Sequence, residues 1–229
     1  MDDFPQLILV AGGLGTRLGQ SEPKALTTLA GKVLFIRSLD AFIDAALLDK
    51  AIVVYPVGHE SAFRSTLDGA YPDNTVQLVR GGIERNDSVR NGLAALDPRT
   101  TLVVIHDAAR PFIPASVIGQ ALSAALTVGA ATVATPCKDT ILKSTAEYSL
   151  EATPNRNTLW ACQTPQIFQR SIIDGAYASP IPSTITDDAT LVQQAGHEVR
   201  IIEGPDTNMK ITTPQDLAYA EFLLEKGLV

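Results

Sequence analysis

The segment LILVAGGLGTR, residues 7–17, joins an apolar run to a turn rich in glycine. The apolar run, residues 7–10, predicts a buried strand that the glycines end. Glycine has no Cβ, so the backbone N–H groups of such a turn can approach an anion closely. Arg17 and, further along the chain, Lys24 add two positive charges that suit a triphosphate. The segment therefore predicts a strand whose carboxyl end holds phosphate groups.

This turn differs from the two best-known phosphate-binding loops. A Walker A loop has four residues between its glycines and then Gly-Lys-Ser/Thr, which is absent here. The dinucleotide fingerprint needs a third small residue, and Leu18 stands in that place. Taken alone, the turn leaves two interpretations open: a triphosphate cradle, or a glycine turn with an Arg and a Lys on the surface.

The rest of the chain alternates short aliphatic runs with longer stretches of helical periodicity. This rhythm predicts a parallel sheet covered by helices on both faces, which is an α/β fold. Thr213 and Pro214 are placed to cap and start the last helix. The predicted strands are 51–55, 75–79, 102–105, 131–135 and 198–202, and the predicted helices are 33–48, 87 or 88 to 96, 115–127, 187–194 and 214–225.

The rhythm stops between residues 136 and 165, where polar residues interrupt short extended pieces. Such a segment fits an arm, a hairpin or an irregular insertion. It is often a dimer contact or a wall of an active site, but an ordinary long excursion is also compatible with it.

Length and composition describe a globular protein and exclude several classes. The 229 residues suffice for one compact domain, and 45% apolar with 19% charged residues argues against disorder. We find no apolar run long enough to cross a membrane and no basic segment before an apolar one at the start, so we expect neither a membrane anchor nor a secretory signal. A net charge of −7 argues against a nucleic-acid surface. Cys137 and Cys162 lack zinc spacing, so we expect small buried thiols, reduced in the cytoplasm.

Five motifs follow one another along nearly the whole chain. They are AGGLGTR at 11–17 with Pro23-Lys24, GGIERNDSV at 81–89, HDAARP at 106–111, NRNTLWACQTPQ at 155–166 and NMKITTPQDL at 208–217. Together they resemble the 2-C-methyl-D-erythritol 4-phosphate cytidylyltransferase family. The turn at 10–18 departs from that family's usual Pro-Ala-Ala-Gly and Arg-Met, and its Gly-Thr-Arg-Leu is more like the sugar-1-phosphate nucleotidyltransferases.

The resemblance implies a fold and an assembly. It implies one Rossmann-like three-layer domain over residues 1–229 with a mostly parallel sheet. It also implies that the segment 136–165 is a protruding β-arm used in dimerisation, which would reach into the site of the partner subunit.

The resemblance also implies a reaction, in which the phosphate of methylerythritol phosphate attacks the α-phosphorus of CTP and pyrophosphate leaves. A phosphate monoester has a second pKa of about 6, so the nucleophile is largely a dianion at neutral pH and needs no general base. Catalysis then rests on positioning, on cations and on a divalent metal ion such as Mg²⁺. We therefore expect His106 and Arg85 to be structural.

The candidate site residues fall into groups by role. The catalytic cations are Arg17, Lys24 and Lys210, and Asp107 is the metal ligand, since a carboxylate at the end of a strand suits Mg²⁺. The nucleotide-binding residues are Ala11, Gly12, Gly13, Gly15, Gly81, Gly82, Asp87, Ser88 and Ala108, of which Asp87 and Ser88 also suit a helix N-cap. The substrate-binding residues are Asp107, Arg110, Thr140, Arg156, Thr164 and Thr186.

Three alternatives stay open. One is a ribitol-5-phosphate cytidylyltransferase of the same fold, although HDAARP at 106–111 is closer to the methylerythritol family. Another is a sugar-1-phosphate nucleotidyltransferase that uses UTP or dTTP. The last is a catalytically silent nucleotide-binding module, but such a module should have lost a phosphate-binding cation.

Overall fold

Strands and helices alternate in the computed structural model, which describes residues 4–13, 22–44, 48, 50–72 and 74–229. The strands are β1 Pro5–Val10, β2 Thr28–Leu29, β3 Lys32–Val33, β4 Ala51–Tyr55, β5 Val76–Arg80, β6 Leu102–Asp107, β7 Ala130–Pro136, β8 Lys143–Ser144, β9 Leu150–Ala152, β10 Trp160–Gln169 and β11 Arg200–Glu203. The helices are α1 Leu34–Ile43, α2 Glu60–Leu67, α3 Arg85–Ala94, α4 Ala115–Val128, α5 Arg170–Tyr177, α6 Asp188–Gln194 and α7 Pro214–Glu225.

Seven strands form one sheet in the order β11-β7-β10-β6-β1-β4-β5. β10 runs antiparallel to both of its neighbours, β6 and β7. The other pairs in this sheet are parallel. The expected mostly parallel sheet is therefore confirmed, and the carboxyl ends of β1 and β6 lie side by side at one edge.

Both faces of the sheet are buried, which makes three layers. In β1, Leu7 and Leu9 pack in one apolar cluster while Ile8 packs in the other, because successive side chains of a strand point to opposite faces. The first cluster includes residues of α1 and α4, and the second includes residues of α3, α5 and α6. Burial on both faces explains why β1, β4 and β6 are continuous apolar runs. None of the helices in the described residues is both long and apolar enough to span a bilayer.

Two predicted helices differ at their ends. The first, predicted for 33–48, spans Leu34–Ile43. It begins at Leu34 because Lys32–Val33 pairs with β2 in a short hairpin. The N-cap of α3 is Glu84, so the expected start at residue 87 or 88 is wrong. Glu84 and Asp87 form a capping box, in which each side chain accepts the backbone N–H of the other residue.

The elements β10, α2 and α5 were not predicted from the sequence. The strand β10 carries buried polar residues, Gln163, Thr164 and Gln166, so it lacks a continuous apolar run. Because β10 begins at Trp160, the part of the 136–165 segment that leaves the sheet is residues 137–159, which contain the β8–β9 hairpin. The expectation of buried thiols is also wrong, since Cys162 is exposed and Cys137 is half-buried.

Candidate active site

A cavity of about 290 Å³ lies at the carboxyl ends of β1 and β6, beside the start of α3. This is where open α/β sheets bind ligands. Its lining combines backbone from three loops with the side chains of two lysines, one arginine and two carboxylates. The lining residues are Val10, Ala11, Gly12, Gly13, Lys24, Ala25, Gly82, Ile83, Glu84, Arg85, Ser88, Asp107, Ala108, Ala109 and Lys210.

Backbone hydrogen bonds fix the first wall of the cavity. Ala11 N–H donates to the Val54 carbonyl at 2.9 Å, and Ala108 N–H donates to the Val10 carbonyl at 3.1 Å. Lys24 N–H donates to the Gly13 carbonyl at 3.2 Å, which brings Lys24 back to the end of β1. The turn after β1 and the lysine are therefore held against the neighbouring strands.

The turn between β5 and α3 forms a second wall around the Ser88 hydroxyl. Gly82 N–H donates to Ser88 Oγ at 3.1 Å, and Ser88 Oγ donates to the Glu84 carbonyl at 3.3 Å. A Cβ at Gly81 would lie 2.8 Å from Ser88 Oγ, which is closer than real Cβ contacts. Gly81 is therefore required for the close approach of the turn to this serine.

Asp107, the last residue of β6, lies at the centre of a cluster of cations. Its carboxylate is 2.7 Å from Lys210 Nζ, 3.6 Å from Arg110 Nε and 3.8 Å from Arg85 Nε. Burial alone would raise the pKa of Asp107, but the charges of Lys210, Arg85 and Arg110 outweigh it and hold this pKa well below its ordinary value. Asp107 is therefore a buried carboxylate that is ionised at neutral pH.

A hydrogen-bond chain behind Asp107 uses neutral groups. His106 Nε2 lies 2.9 Å from the Arg110 carbonyl, which can only accept, so Nε2 carries the proton. Nδ1 then accepts from the Thr164 hydroxyl at 3.0 Å, and the same hydroxyl accepts Asp107 N–H at 3.0 Å. Burial lowers the pKa of His106 to about 4, against an ordinary value of 6.5. The geometry thus gives His106 a structural part, as expected.

The predicted site residues divide into those that line the cavity and those that do not. Gly15 and Arg17 lie outside the described residues. The predicted residues that line the cavity are Ala11, Gly12, Gly13, Lys24, Gly82, Ser88, Asp107, Ala108 and Lys210. The described ones that lie outside its lining are Gly81, Asp87, Arg110, Thr140, Arg156, Thr164 and Thr186.

These outlying residues have other surroundings. The Arg110 guanidinium bonds the carbonyls of Asn208 and Cys162 at 2.9 and 3.4 Å. Arg156 Nη1 donates to the Lys138 carbonyl at 2.9 Å, at the base of the exposed hairpin segment. Thr140 is exposed on that segment. Thr186 lines a neighbouring cavity of about 670 Å³ beside α3, which shares Glu84 and Arg85 with the first cavity.

Six residues of the cavity lining were not predicted as site residues: Val10, Ala25, Ile83, Glu84, Arg85 and Ala109. Glu84 and Arg85 both line the cavity, although Arg85 was expected to be structural only. Their signal was their place in the loop that follows a strand, one and two positions after Gly81-Gly82-Ile83, at the ligand edge of the sheet.

Comparison with known proteins shows the family of this chain. The family profile described as 2-C-methyl-D-erythritol 4-phosphate cytidylyltransferase matches residues 6–226. A protein of that name from Caldanaerobacter subterraneus is 37% identical over 222 residues, covering 96% of this chain and 98% of the relative.

Solved structures of proteins with the same activity in their names share the fold of this chain. The 4-diphosphocytidyl-2C-methyl-D-erythritol synthase from Anaerococcus prevotii aligns with a TM-score of 0.84 at 29% identity, covering 97% of this chain and 99% of that one. The 2-C-methyl-D-erythritol 4-phosphate cytidylyltransferase from Thermus thermophilus aligns with a TM-score of 0.77 at 32% identity, covering 98% and 100%. This chain therefore belongs to the 2-C-methyl-D-erythritol 4-phosphate cytidylyltransferase family of nucleotidyltransferases.

Proposed function

We propose that the cavity at the ends of β1 and β6 is where this cytidylyltransferase joins CTP to 2-C-methyl-D-erythritol 4-phosphate. The observation that carries the proposal is the convergence of Lys24, Lys210 and Asp107 on one cavity walled by the backbone of residues 10–13. These groups come from distant parts of the chain, and together they supply what a triphosphate and a metal ion require.

In this proposal the two walls of the cavity bind different parts of CTP. The backbone N–H groups of Gly12 and Gly13, with Lys24, hold the phosphates, and Arg17 adds a charge to the same group, whereas Ala11 N–H is engaged by the Val54 carbonyl. The backbone of Gly81 and Gly82, with Ser88, reads the edge of the cytosine. Asp87 serves the helix rather than the base, because its carboxylate is engaged in the capping box.

The reaction needs charge stabilisation rather than a base. A phosphate oxygen of the polyol phosphate forms a bond to the α-phosphorus of CTP, and the bond to the pyrophosphate oxygen breaks. Lys210 stabilises the charge on the α-phosphate, while Lys24 and Arg17 stabilise the leaving pyrophosphate. His106 takes no part in proton transfer, because its ring is fully buried and both of its nitrogens are engaged.

Asp107 also fits the role of metal ligand. Mg²⁺ commonly binds one or two carboxylates together with phosphates and water, so a single ionised carboxylate in a phosphate cavity is a suitable donor set. Among the described residues no group of three or more His, Cys, Asp or Glu side chains could hold an ion by itself, so the nucleotide would complete the site. When bound, the ion would neutralise charge on the phosphates.

The second substrate is proposed to bind near Arg110, with Thr140, Arg156, Thr164 and Thr186. Arg156 and Thr140 belong to the segment that leaves the sheet, so we propose that a homodimer brings them to the site of the partner. The hairpin segment supports this, because Leu142, Tyr148 and Leu150 are 62%, 92% and 65% exposed. We further propose that the enzyme acts in the cytoplasm, since its thiols are unpaired.

Pyrophosphate release, measured with each of four NTPs and three acceptors, tests the function. The acceptors are methylerythritol phosphate, ribitol 5-phosphate and glucose 1-phosphate. We expect turnover with CTP and methylerythritol phosphate, dependent on a divalent cation and abolished by EDTA. Turnover with glucose 1-phosphate alone would overturn the proposal, and a preference for ribitol 5-phosphate would move the enzyme to that substrate.

Variants and mass measurements test the assigned parts. The variant Lys24→Ala should have a kcat roughly 10³-fold lower, because Lys24 stabilises the charge that develops on the leaving pyrophosphate. Arg156→Ala should chiefly raise KM for the acceptor.

Light scattering after gel filtration should give twice the chain mass, and a monomer with full activity would contradict the shared site.

A further inference from the structure

Arg85 connects the carboxylate at the centre of the site to a second buried carboxylate. It is the first residue of α3, and its Nε lies 3.8 Å from Asp107 Oδ1. Its Nη2 lies 2.8 Å from Oδ2 of Asp188, the first residue of α6, whose side chain is fully buried. One guanidinium thus spans β6 and α6.

Asp188 is itself held firmly. Its Oδ1 accepts from the Tyr177 hydroxyl at 2.5 Å, and its backbone N–H donates to Gln166 Oε1 at 2.9 Å. α5 carries the tyrosine and β10 carries the glutamine. Asp188 is therefore a fixed anchor. Its contact with the guanidinium is an ion pair, because Asp188 Oδ2 makes no hydrogen bond among the described residues.

The two oxygens of Asp107 face different cations. Oδ2 pairs with Lys210 and Arg110, whereas Oδ1 faces Arg85. Among the described residues Arg85 Nη1 has no hydrogen-bond partner although the atom is buried. A guanidinium placed only for stability would be expected to satisfy that donor. Its placement instead favours contact with both carboxylates at once.

We propose that Arg85 is a positioning residue, which braces against Asp188 and fixes the orientation of Asp107 in the active cavity. The proposal rests on the proposed function of the site, because it needs Asp107 to act there. A displacement of about 1 Å can cost roughly 10²-fold in rate, so loss of such a brace should act on kcat.

The test compares Arg85→Met, Arg85→Lys, Asp188→Asn and the double variant R85M/D188N. The matched control is Arg90→Met. Arg90 is on the same helix, and its guanidinium lies 5.4 Å from the Tyr177 ring centroid and donates to the Tyr177 carbonyl at 2.7 Å. Among the described residues Arg90 forms no ion pair with Asp107 or Asp188. Each variant is assayed for kcat, KM for both substrates, CTP affinity by calorimetry, and Tm.

We expect R85M to lose kcat by about 10- to 100-fold, with CTP affinity changed less than about threefold. R85K should recover part of that loss, since it keeps the charge but lacks the fork that reaches two carboxylates. The double variant should be no slower than R85M, because both changes remove one brace. R90M should lower Tm and keep kcat within about twofold.

The outcomes separate this proposal from the function on which it rests. One outcome is that Asp107→Asn loses kcat while R85M, shown by its Tm to be folded, keeps wild-type kcat. That result would reject the positioning role of Arg85 and leave the site assignment unchanged. If R90M loses as much kcat as R85M, or if R85M and D188N act additively, Arg85 acts only through stability and the proposal is overturned. If D107N keeps wild-type kcat, both the role of Asp107 and the brace fall.

Discussion

Lys210 Nζ lies 2.7 Å from Asp107 Oδ2, which joins the loop before α7 to the end of β6. Two other contacts hold this loop in place. Ile211 N–H donates to the Ala109 carbonyl at 2.9 Å, and the Asn208 amide donates to Gln163 Oε1 at 2.8 Å. A lysine from the last part of the chain is thereby set beside a strand end in the middle of the sequence.

Lys210→Ala should lower kcat by roughly 10²- to 10³-fold, because a fixed charge beside the α-phosphate is lost. Lys210→Arg should lose less, since the charge stays but the shape differs. Lys226→Ala is the control, because its ammonium pairs with Glu225 at the exposed end of α7. Steady-state kinetics with CTP and methylerythritol phosphate measure both. Equal kcat for K210A and K226A would remove Lys210 from catalysis.

Gly82→Ala should weaken CTP binding by about tenfold or more, because the new Cβ would lie 2.1 Å from Asp87 Cβ and push the turn from its place at the start of α3. Gly119→Ala in α4 is the control, since a Cβ there meets no atom within 4 Å. That control should gain about 0.5–1 kcal/mol of stability from the helix. Calorimetric titration with CTP measures the difference, and an unchanged Kd for G82A would show that the turn does not contact the nucleotide.

Thr164→Val should cost about 2–3 kcal/mol of unfolding free energy, because it leaves Asp107 N–H and His106 Nδ1 buried without their shared partner. Thr164→Ser keeps the hydroxyl and should cost only about 1 kcal/mol for the lost methyl group. Thr127→Val, an exposed hydroxyl in α4, is the control. Urea unfolding ranks the variants. A serine variant as unstable as the valine variant would show that packing, not the hydrogen bonds, matters here.

The stability of the fold should fall in mild acid because of His106. Its folded pKa of about 4 lies below the ordinary 6.5, so between these values the unfolded chain binds a proton that the folded chain does not. The free energy of unfolding therefore decreases as the pH falls through this window, by about 3 kcal/mol in total from this group.

His106→Gln tests this acid effect, because glutamine can donate to the Arg110 carbonyl and has no titration in this range. Charged neighbours of the ring, Asp107, Arg110 and Lys210, are present in both proteins. The wild type should therefore lose its advantage in free energy of unfolding over the variant as the pH falls, as measured by urea unfolding from pH 7 to 4.5. A constant difference across the window would show that His106 is not buried in its neutral form.

Much of the fold could be predicted because its signals are local. The continuous apolar runs of β4 and β6 predicted strands of a sheet covered on both faces, and Thr213 with Pro214 predicted the start of α7 at its observed residue. The order of the motifs predicted which loops carry Lys24, Asp107 and Lys210. Hydrophobic periodicity and helix capping depend on residues close together in the chain, so both can be recognised from the sequence.

The tertiary structure alone decided how these parts meet. β10 escaped prediction because its buried Gln166 is satisfied by partners on β7 and at the start of α6. The contacts of Arg85 with Asp107 and Asp188 depend in the same way on three elements that are far apart in sequence. Burial of a polar or charged group is favourable only when its partner is in place. The sequence by itself determined the apolar strands and the segments that carry the charges. The packing of those elements decided where β10 lies and which charges face each other.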